Sequence, residues 1–543
     1  MKLQPKIFLS YFLLPAACLL LLTSCYKKKF DELKLANASP EYLYPLIDAE
    51  LSLKDIIDPT KKKLYITEDA NGFYTFVYYQ DVYEAYITDF LKIDDLAFNQ
   101  SVSLTGGEIA SLPVNTTITH SFTQSNTLDA ENGEQLKHLT IKSGSIPLNL
   151  SSTFRHDIQL VITFPYIKKN NVALTKTVAL NYNGSSPVVS NNTIDLSGYS
   201  IDLSENNTKV NTLTYTAALT VTYKAGSPIN ATQKLDVQTG LTGIQYQYAD
   251  GYIGHYDINM PEDTLKIEIF DNAYAGNVYF TDPKVRAIIY NSISAASSVK
   301  MNQLETYSNI TGQTNITGSI INTNIPINYP AVSEIGQTKT TTIQLDKTNS
   351  NVQTVFNPAP DQVIYKMSGI INPGGVTTNF VTDTSKIRIR GEAEIPLEGK
   401  ITQFVLLDTI EDISYPDIKV DGNDVTVLSA AFNLALVNGF PLNTNIQMYF
   451  LDDTGMIVDS LFSTPHFIAS GSIDGNGKVT TPTTVHIKEI FDEARYKRVS
   501  TSSKAVIYAF FSSANNGTVP IKIYSSYKIK SNISINVKAN VSF

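Results

Sequence analysis

Hydrophobic and polar residues alternate along most of the chain, which is the pattern of β-strands with one buried face. Apolar residues occupy every second position from Leu213 to Tyr223, and mainly threonines lie between them. Apolar and charged residues alternate in a similar way from Ile387 to Ile395. Turn signals such as Asn183-Gly184 separate these stretches. The pattern predicts a mainly β, multi-domain protein of antiparallel sheets or β-sandwiches with a few short helices.

Helical patterns are rare in this chain. One helix is predicted over residues 487–498, where acids precede bases as the helix dipole favours. Four apolar residues would share one face of this helix: Ile487, Ile490, Phe491 and Ala494. A short helical turn is also predicted in YLYPLIDAELSLKDIID, with Leu51, Ile56 and Ile57 facing inward.

The length of 543 residues suggests about three domains. We place an N-terminal β region with long strands at residues 39–270, a β-sandwich-like unit at 271–345 and a C-terminal β region at 346–543. Two stretches share a plan in which a strand, an Asn with a small residue and a second strand follow one another, at Asn291-Ser292 and Asn438-Gly439. We interpret them as two copies of a hairpin, and hence as a duplicated sandwich unit.

The N-terminus has the anatomy of a secretory signal peptide. Lys2 and Lys6 precede an apolar run that is short for a spanning helix of ~20 residues. The next residues, Leu22-Thr23-Ser24-Cys25, resemble the lipobox of bacterial lipoproteins. That resemblance implies a signal peptide at residues 1–24, acylation of Cys25 with chains such as palmitate, and a tether at residues 25–38. The alternative is an ordinary signal peptide with an incidental cysteine.

The last 17 residues alternate between apolar and polar, with Ser531 as the exception, and predict a long amphipathic strand from Tyr527 to Phe543. Such a strand fits either a lipid-facing sheet or a sheet in water. Because an anchor at Cys25 would already supply membrane attachment, we expect a sheet in water. Its apolar face would then cover a core: Ile529, Ile533, Ile535, Val537 and Val541.

Composition narrows the function classes. The formal net charge of −9 and the absence of a long basic run argue against a nucleic-acid partner. Cys18 and Cys25 are the two cysteines, and cleavage before Cys25 leaves one, which carries lipid. We therefore expect no disulfide and no cysteine metal site.

Several motifs resemble those of large outer-membrane lipoproteins of Bacteroidota, over about residues 39 to 465. They are SPEYLYPLIDAELSLKDII, DLSGYSIDLS, YFTDPKVRAIIYNS, DKTNSNV, INPGG, GEAEIPLEGKI and VNGFPLNTNIQMYFLDDTGMIVDSLF. The strand–Asn units are also weakly similar to the β-sandwich of late-embryogenesis-abundant proteins. The resemblance implies a fold and a place at the outer membrane, with the leaflet left open, but no chemistry.

A search for catalytic motifs gives no candidate. The sequence contains no G-x-S-x-G, no Walker A loop and no H-E-x-x-H. The six histidines are far apart, and DGNGK at Asp474–Lys478 has too few acids for a calcium loop, so a tight turn is expected there. We predict no catalytic residue, no metal and no cofactor. Paired carboxylates for glycoside hydrolysis stay open, because the fold sets their separation.

Tyrosine is unusually common, with 31 Tyr and no Trp. Two clusters are candidate ligand-binding residues, because tyrosine joins an apolar face to a polar tip: Tyr78, Tyr79 and Tyr83, and Tyr248, Tyr252 and Tyr256. The simpler interpretation is that they are half-buried strand residues, for which tyrosine is favoured.

The resemblance to Bacteroidota proteins also implies O-glycosylation where Asp-Ser or Asp-Thr precedes an apolar residue. Three candidates follow: Thr264, Thr409 and Ser460.

These observations favour a lipid-anchored cell-envelope β protein at the outer membrane, with a binding or structural role and a protein or glycan partner. One alternative is a carrier that holds a lipid or other apolar ligand between its sheets. A hydrolase is a further alternative.

Overall fold

The computed structural model describes residues 39, 41–56, 64–267, 273–275, 277–411, 419–420 and 423–541. The predicted signal peptide, most of the tether, Cys25 and Ile57 lie outside the described residues.

The first strands are β1 Glu41–Ser52, β2 Leu64–Glu68, β3 Tyr74–Tyr86, β4 Leu96–Ser103, β5 Thr117–Thr127, β6 Gln135–Ser152, β7 Asp157–Lys169, β8 Val172–Leu180, β9 Val188–Asp195, β10 Ser200–Asp202, β11 Thr212–Thr222 and β12 Lys234–Tyr252. Next come β13 Tyr256–Asn259, β14 Asp263–Lys266, β15 Ala273–Ala275, β16 Val278–Phe280, β17 Lys284–Asn291, β18 Ser297–Ser308, β19 Gly312–Asn315, β20 Ile325–Ile327, β21 Lys339–Leu345, β22 Gln362–Ile371, β23 Asn379–Thr382, β24 Lys386–Pro396 and β25 Glu398–Ile401. The remaining strands are β26 Phe404–Ile410, β27 Lys419–Val420, β28 Asn423–Asn438, β29 Leu442–Leu451, β30 Ile457–Ser460, β31 His466–Ile468, β32 Ser472–Ile473, β33 Val479–Thr481, β34 Thr483–Asp492, β35 Lys504–Ser513, β36 Ile521–Lys522 and β37 Lys528–Val541. The α-helices are α1 Leu53–Ile56, α2 Gly106–Ala110, α3 Val352–Val355 and α4 Glu493–Val499.

These strands build three β-sandwiches, which we call units 1, 2 and 3, each around two sets of four strands, sheets A and B. Shorter strands extend several of these sheets, and β10 joins β6 to β7 and so links the two sheets of unit 1. In unit 1, sheet A has the order β4-β12-β6-β9 and sheet B the order β5-β11-β7-β8. In unit 2 the orders are β3-β24-β17-β21 and β13/β14-β22-β18-β19, and in unit 3 they are β1-β37-β28-β34 and β26-β35-β29-β30. Numbered along the chain within a unit, the strands follow 1-8-3-6 and 2-7-4-5 in every case. This is the strand order of a jelly roll, and it confirms the prediction of antiparallel β-sandwiches with a few short helices.

The three units are nested in sequence. All of unit 1 lies between the first two strands of unit 2, β3 and β13, and all of unit 2 lies between the first two strands of unit 3, β1 and β26. The sequence prediction divides the β regions at residues 270 and 345, whereas β3 pairs with β24 and β1 pairs with β37 across both positions. The order of strands along the sequence does not show which distant strands pair, so it does not reveal the nesting.

Each unit uses the same device where the chain crosses from sheet A to sheet B after its third strand. Ser152, Asn291 and Asn438 are buried at these crossings. Each side-chain oxygen accepts the backbone N–H two residues later, at 3.2, 2.9 and 2.9 Å respectively. The sequence pattern predicted hairpins at the two Asn motifs, and this prediction is wrong. Strands β17 and β18 lie in different sheets, and so do β28 and β29. The bonded turn redirects the chain without leaving a buried N–H unpaired.

The helix predicted over residues 487–498 begins only at Glu493. Strand β34 continues to Asp492 and pairs with β28 along its length. Buried residues four apart, Ile487 and Phe491, fit one face of a strand as well as one face of a helix, and pairing with β28 decides between them. Ile490, expected on the same face, is 56% exposed. Asp492 caps α4 by accepting the Arg495 N–H at 2.7 Å.

The predicted C-terminal strand is present as β37, hydrogen-bonded between β1 and β28. Ile535 packs against the core of unit 3, around Phe450 and Phe491, and Ile529 and Val537 are half-buried. The side chains of Ile533 and Val541 lie outside the described residues. A short helix, α1, follows β1 as predicted, but Leu51 is 41% exposed because β1 is the edge strand of its sheet.

In the part of the chain that the structure describes, two hydrophobic cores fill the sandwiches. One continuous cluster spans units 1 and 2, and a smaller cluster around Ala430 and Phe491 lies in unit 3. Among the described residues, no helix is long and apolar enough to cross a membrane.

Candidate functional site

The outer face of sheet A in unit 1 carries a groove of about 590 Å³. This volume falls within the ~300–1,000 Å³ range of small-molecule sites. Four strands line the groove: β4 with Asn99, Gln100 and Ser101, β6 with Asn149, Leu150 and Ser151, β9 with Val189 and Asn191, and β12 with Asp236, Val237 and Gln238. Because successive side chains of a strand point to opposite faces, Gln100 lies on the inward side with Phe98 and accepts a hydrogen bond from Gln124 of sheet B. The other polar members of this set face outward.

Four amide side chains form a line across the groove, which we call the amide row. Asn99 lies opposite Gln238, Gln238 opposite Asn149, and Asn149 opposite Asn191. The row thus runs perpendicular to the strands, with about 4.8 Å between neighbours.

The amide row is not engaged by the protein. Within the described ranges, none of its four side chains hydrogen-bonds to another protein group. Each amide carries a carbonyl acceptor and two N–H donors. Since the groove is open to water, these groups are solvated and ready to exchange water for a ligand.

A second row lies beside the amide row and consists of Ser101, Asp236, Ser151 and Val189. Asp236 accepts a hydrogen bond from the Ser101 hydroxyl and lies 2.9 Å from the Lys234 ammonium. These two hydrogen bonds lower the pKa of Asp236 below its ordinary value. Asp236 is the one ionisable residue in the groove's described lining, and none of the lining residues is aromatic.

The tyrosines predicted from β3 lie in unit 2, away from the groove. Tyr78 is 1% exposed and belongs to the core. Tyr79 points outward, with its ring centroid 5.6 Å from that of Tyr65 and 5.0 Å from the Arg390 guanidinium. Tyr83 is half-buried, and burial with the nearby Asp89 raises its pKa.

The second tyrosine cluster lies where unit 1 meets unit 2. Tyr248 donates to Asp250 at 3.1 Å, and burial together with that carboxylate raises its pKa to about 12. Tyr252 and Tyr256 are buried, and Tyr256 donates to Glu134 at 2.9 Å. None of the six predicted tyrosines lines the groove.

The three glycosylation candidates differ in accessibility. Thr409 is exposed on β26, whereas Thr264 is half-buried on β14. The Ser460 hydroxyl donates to the Phe462 carbonyl at 2.8 Å, and the preceding Asp459 pairs with Arg495 at 3.3 Å. Thr409 is the most accessible of the three.

The expected tight turn at DGNGK is present. Asp474 accepts the backbone N–H groups of Asn476 and Lys478 at 2.8 and 2.9 Å, so its carboxylate closes the turn. No cluster of three metal-ligating side chains occurs in the part of the chain that the structure describes. Between the sheets of unit 2, around Met301 and Tyr365, the apolar interior leaves a cavity of about 30 Å³, which is room for only a few water molecules.

The sequence gives only a weak signal for the groove. Exposed strand positions commonly carry Lys and Glu, whereas these four strands carry Asn, Gln and Ser. Nothing in the sequence aligns four such positions into one row, because strand pairing across nested units sets the register.

No protein-family model matches the chain, and no curated protein is significantly similar to it. Among solved structures, a protein of Parabacteroides distasonis inferred to be secreted is 12% identical with a TM-score of 0.28, over 53% of this chain and 89% of that one. The VP2 subviral particle of infectious bursal disease virus is 12% identical with a TM-score of 0.14, over 75% and 74% of the chains. The glycosylasparaginase PNGase F of Flavobacterium meningosepticum is 11% identical with a TM-score of 0.15, over 56% and 96%. At these scores, the jelly-roll assignment rests on the strand pairing of this chain alone.

Proposed function

We propose that this protein is a lipid-anchored binding component of the bacterial cell envelope, which presents the groove of unit 1 to a glycan. The observation that carries the proposal is the amide row, an open line of hydrogen-bonding groups that the protein itself leaves unused. Hydroxyl groups donate and accept as amides do, so a hydroxyl-rich ligand can satisfy both sides of each amide.

The spatial order of the three units supports the proposal that the protein presents the groove of unit 1 to a ligand. Unit 2 contacts unit 3 through Tyr74, whose N–H donates to the Ile523 carbonyl at 3.1 Å. Strand β23, in the segment that joins β22 and β24 of unit 2, pairs with β12 of unit 1, and Asp383 of the same segment forms an ion pair with Lys142 at 2.6 Å. Unit 2 thus lies between the other two.

The two ends of this arrangement carry different features. Strand β1 begins at Glu41, roughly 36 Å along the strand from Ser52, which leads into unit 2. In unit 1, Gln238 lies roughly 30 Å along β12 from Tyr248, which pairs with unit 2. The chain therefore enters at the far end of unit 3, and the groove lies toward the far end of unit 1. An anchor at Cys25 would leave the groove remote from the outer membrane.

The anchor is tested with Cys25→Ala in the native bacterium. We expect the native protein in the membrane fraction with acyl chains on Cys25, and the variant released and unacylated. Acylation of the variant at another residue, or its retention in the membrane fraction, contradicts the anchor.

The binding role is tested separately, with the unlipidated chain from residue 26 onward on an array of neutral and acidic glycans. We expect at least one glycan to bind, and the Gln238→Ala/Asn149→Ala double variant to lose that binding with an unchanged melting temperature. An array on which no glycan binds, or on which the double variant binds equally, contradicts the proposed function.

A further inference from the structure

We infer that the glycan is neutral and unbranched and lies across the strands, along the amide row. This inference rests on the proposed function and specifies the ligand class of the same groove. It depends on three properties of the groove: the direction of the row, the charge of its surroundings and the absence of an aromatic platform.

The direction follows from the register. Asn99, Gln238, Asn149 and Asn191 stand on four adjacent strands, and adjacent strands are about 4.8 Å apart. This spacing is close to the length that one hexose adds to an extended chain. A linear glycan along the row would thus offer one sugar residue to each amide, with four positions over about 14 Å.

The charge follows from the lining. Asp236 contributes a carboxylate, and its partner Lys234 is already hydrogen-bonded to it. No cation belongs to the described lining of the groove. Because the Lys234 ammonium beside the groove is already paired with Asp236, a carboxylate or sulfate on the ligand would lose its own hydration and would gain no unpaired cation in return. The groove therefore selects against acidic glycans.

The affinity must come from repeated hydrogen bonds. The described lining of the groove offers no aromatic ring as a stacking platform. Val189, which is 57% exposed, supplies one small apolar contact at the end of the second row. Each hydrogen bond contributes only a modest net free energy, because it replaces hydrogen bonds to water. Binding should therefore grow with chain length until all four amides are occupied. The second row runs beside the amide row, about 7 Å away along the strands, so a branch on that side of each sugar would meet its side chains.

The experiment is calorimetric titration of the chain from residue 26 onward with linear β-1,4-linked gluco-, manno- and xylo-oligosaccharides of one to six units, and with oligoglucuronates of matched linkage and length. We expect no measurable binding of monosaccharides, an affinity for at least one neutral series that rises to about four units and then levels, and at least tenfold weaker binding of the oligoglucuronates. The Gln238→Ala/Asn149→Ala variant should lower the neutral affinity at least tenfold. Gln344→Ala, on sheet A of unit 2 and outside the groove, should leave it unchanged.

The inference and the proposed function fail in different ways. Preference for oligoglucuronates or for branched glycans, or an affinity independent of length, overturns the inference, but leaves the proposed function standing if the double variant loses the binding. Equal affinity of the double variant and the native chain for every glycan overturns both.

Discussion

Units 1 and 2 share one strand order, yet the outer faces of their A sheets are opposite in character. In unit 1 the amide row is free of protein partners in the described residues. A cross-strand row of sheet A in unit 2, on the corresponding four strands, is Tyr79, Glu392, Arg286 and Gln344, again in direct cross-strand register. That row is engaged at every position.

The residues of the unit 2 row bind one another or neighbouring side chains of the same unit. Glu392 accepts from the Tyr65 hydroxyl at 3.2 Å. Arg286 donates through Nε to Gln344 at 2.8 Å and also pairs with Glu394. The Arg390 guanidinium covers the Tyr79 ring at 5.0 Å. The polar groups of this face serve one another, which leaves few of them for a ligand.

The comparison shows which side-chain positions a repeated fold constrains and which it leaves free to vary. Inward positions are held by the core, as Phe98 is in unit 1 and Ile389 in unit 2. Outward positions are free to build either an internal network or a binding surface. Function in this molecule is therefore read from the unsatisfied outer groups and not from the jelly roll, which is common to all three units.

Removing Arg286 should produce the largest effect, because the engaged face contributes to stability. Arg286→Met leaves Gln344 without its donor and leaves Glu394, whose side chain is 14% exposed, with Lys284 alone. We expect the free energy of unfolding of unit 2 to fall by about 2 kcal/mol, measured by urea denaturation. The control is Arg388→Met, which removes a stack on Tyr290 at 4.6 Å and should cost about 0.5–1 kcal/mol. Equal losses for the two variants would contradict the network.

Much of the fold could be predicted from period-two alternation, and the errors have identifiable causes. Alternation located strands such as β11 and β24, and the C-terminal strand β37. It misassigned Ile487–Asp492, because a spacing of four suits both a strand and a helix. It also could not reveal that β1 completes a sheet with β37, since pairing over such a separation leaves no local trace.

The candidate site was harder to predict than the fold. Tyrosine abundance drew attention to Tyr78 and Tyr256, which the structure places in buried positions. The amide row consists of ordinary residues that are scattered along the sequence, from Asn99 to Gln238. It becomes a feature only when four strands meet in register, and register depends on the whole sheet.

Converting part of the amide row into a unit 2-like pair should have a smaller effect. Gln238 and Asn149 are directly opposite, so Gln238→Arg with Asn149→Glu would place an ion pair across the groove. A double-mutant cycle in urea should give a coupling of about 0.2–1 kcal/mol, reduced at high salt. The same pair should abolish binding of the neutral glycan, because both amides are lost. A coupling of zero, together with retained binding, would mean that the two side chains do not share the groove.

The smallest expected effect is that of pH on the groove. The amides do not titrate, and the Ser101 and Lys234 hydrogen bonds lower the pKa of Asp236. A lowered pKa keeps this carboxylate ionised from pH 9 down past the ordinary aspartate value of about 3.9, so no lining group changes charge between pH 5 and 9. On the unit 2 face, by contrast, burial and Glu392 raise the pKa of Tyr65 to about 12. The stability that this raised pKa represents is present below the ordinary tyrosine value of about 10 and is lost as the pH rises toward 12. Because no lining group of the groove changes charge in this range, we expect glycan affinity, measured by calorimetry at pH 5, 7 and 9, to vary less than twofold. A tenfold change would mean that a titrating residue outside the described groove lining takes part in binding.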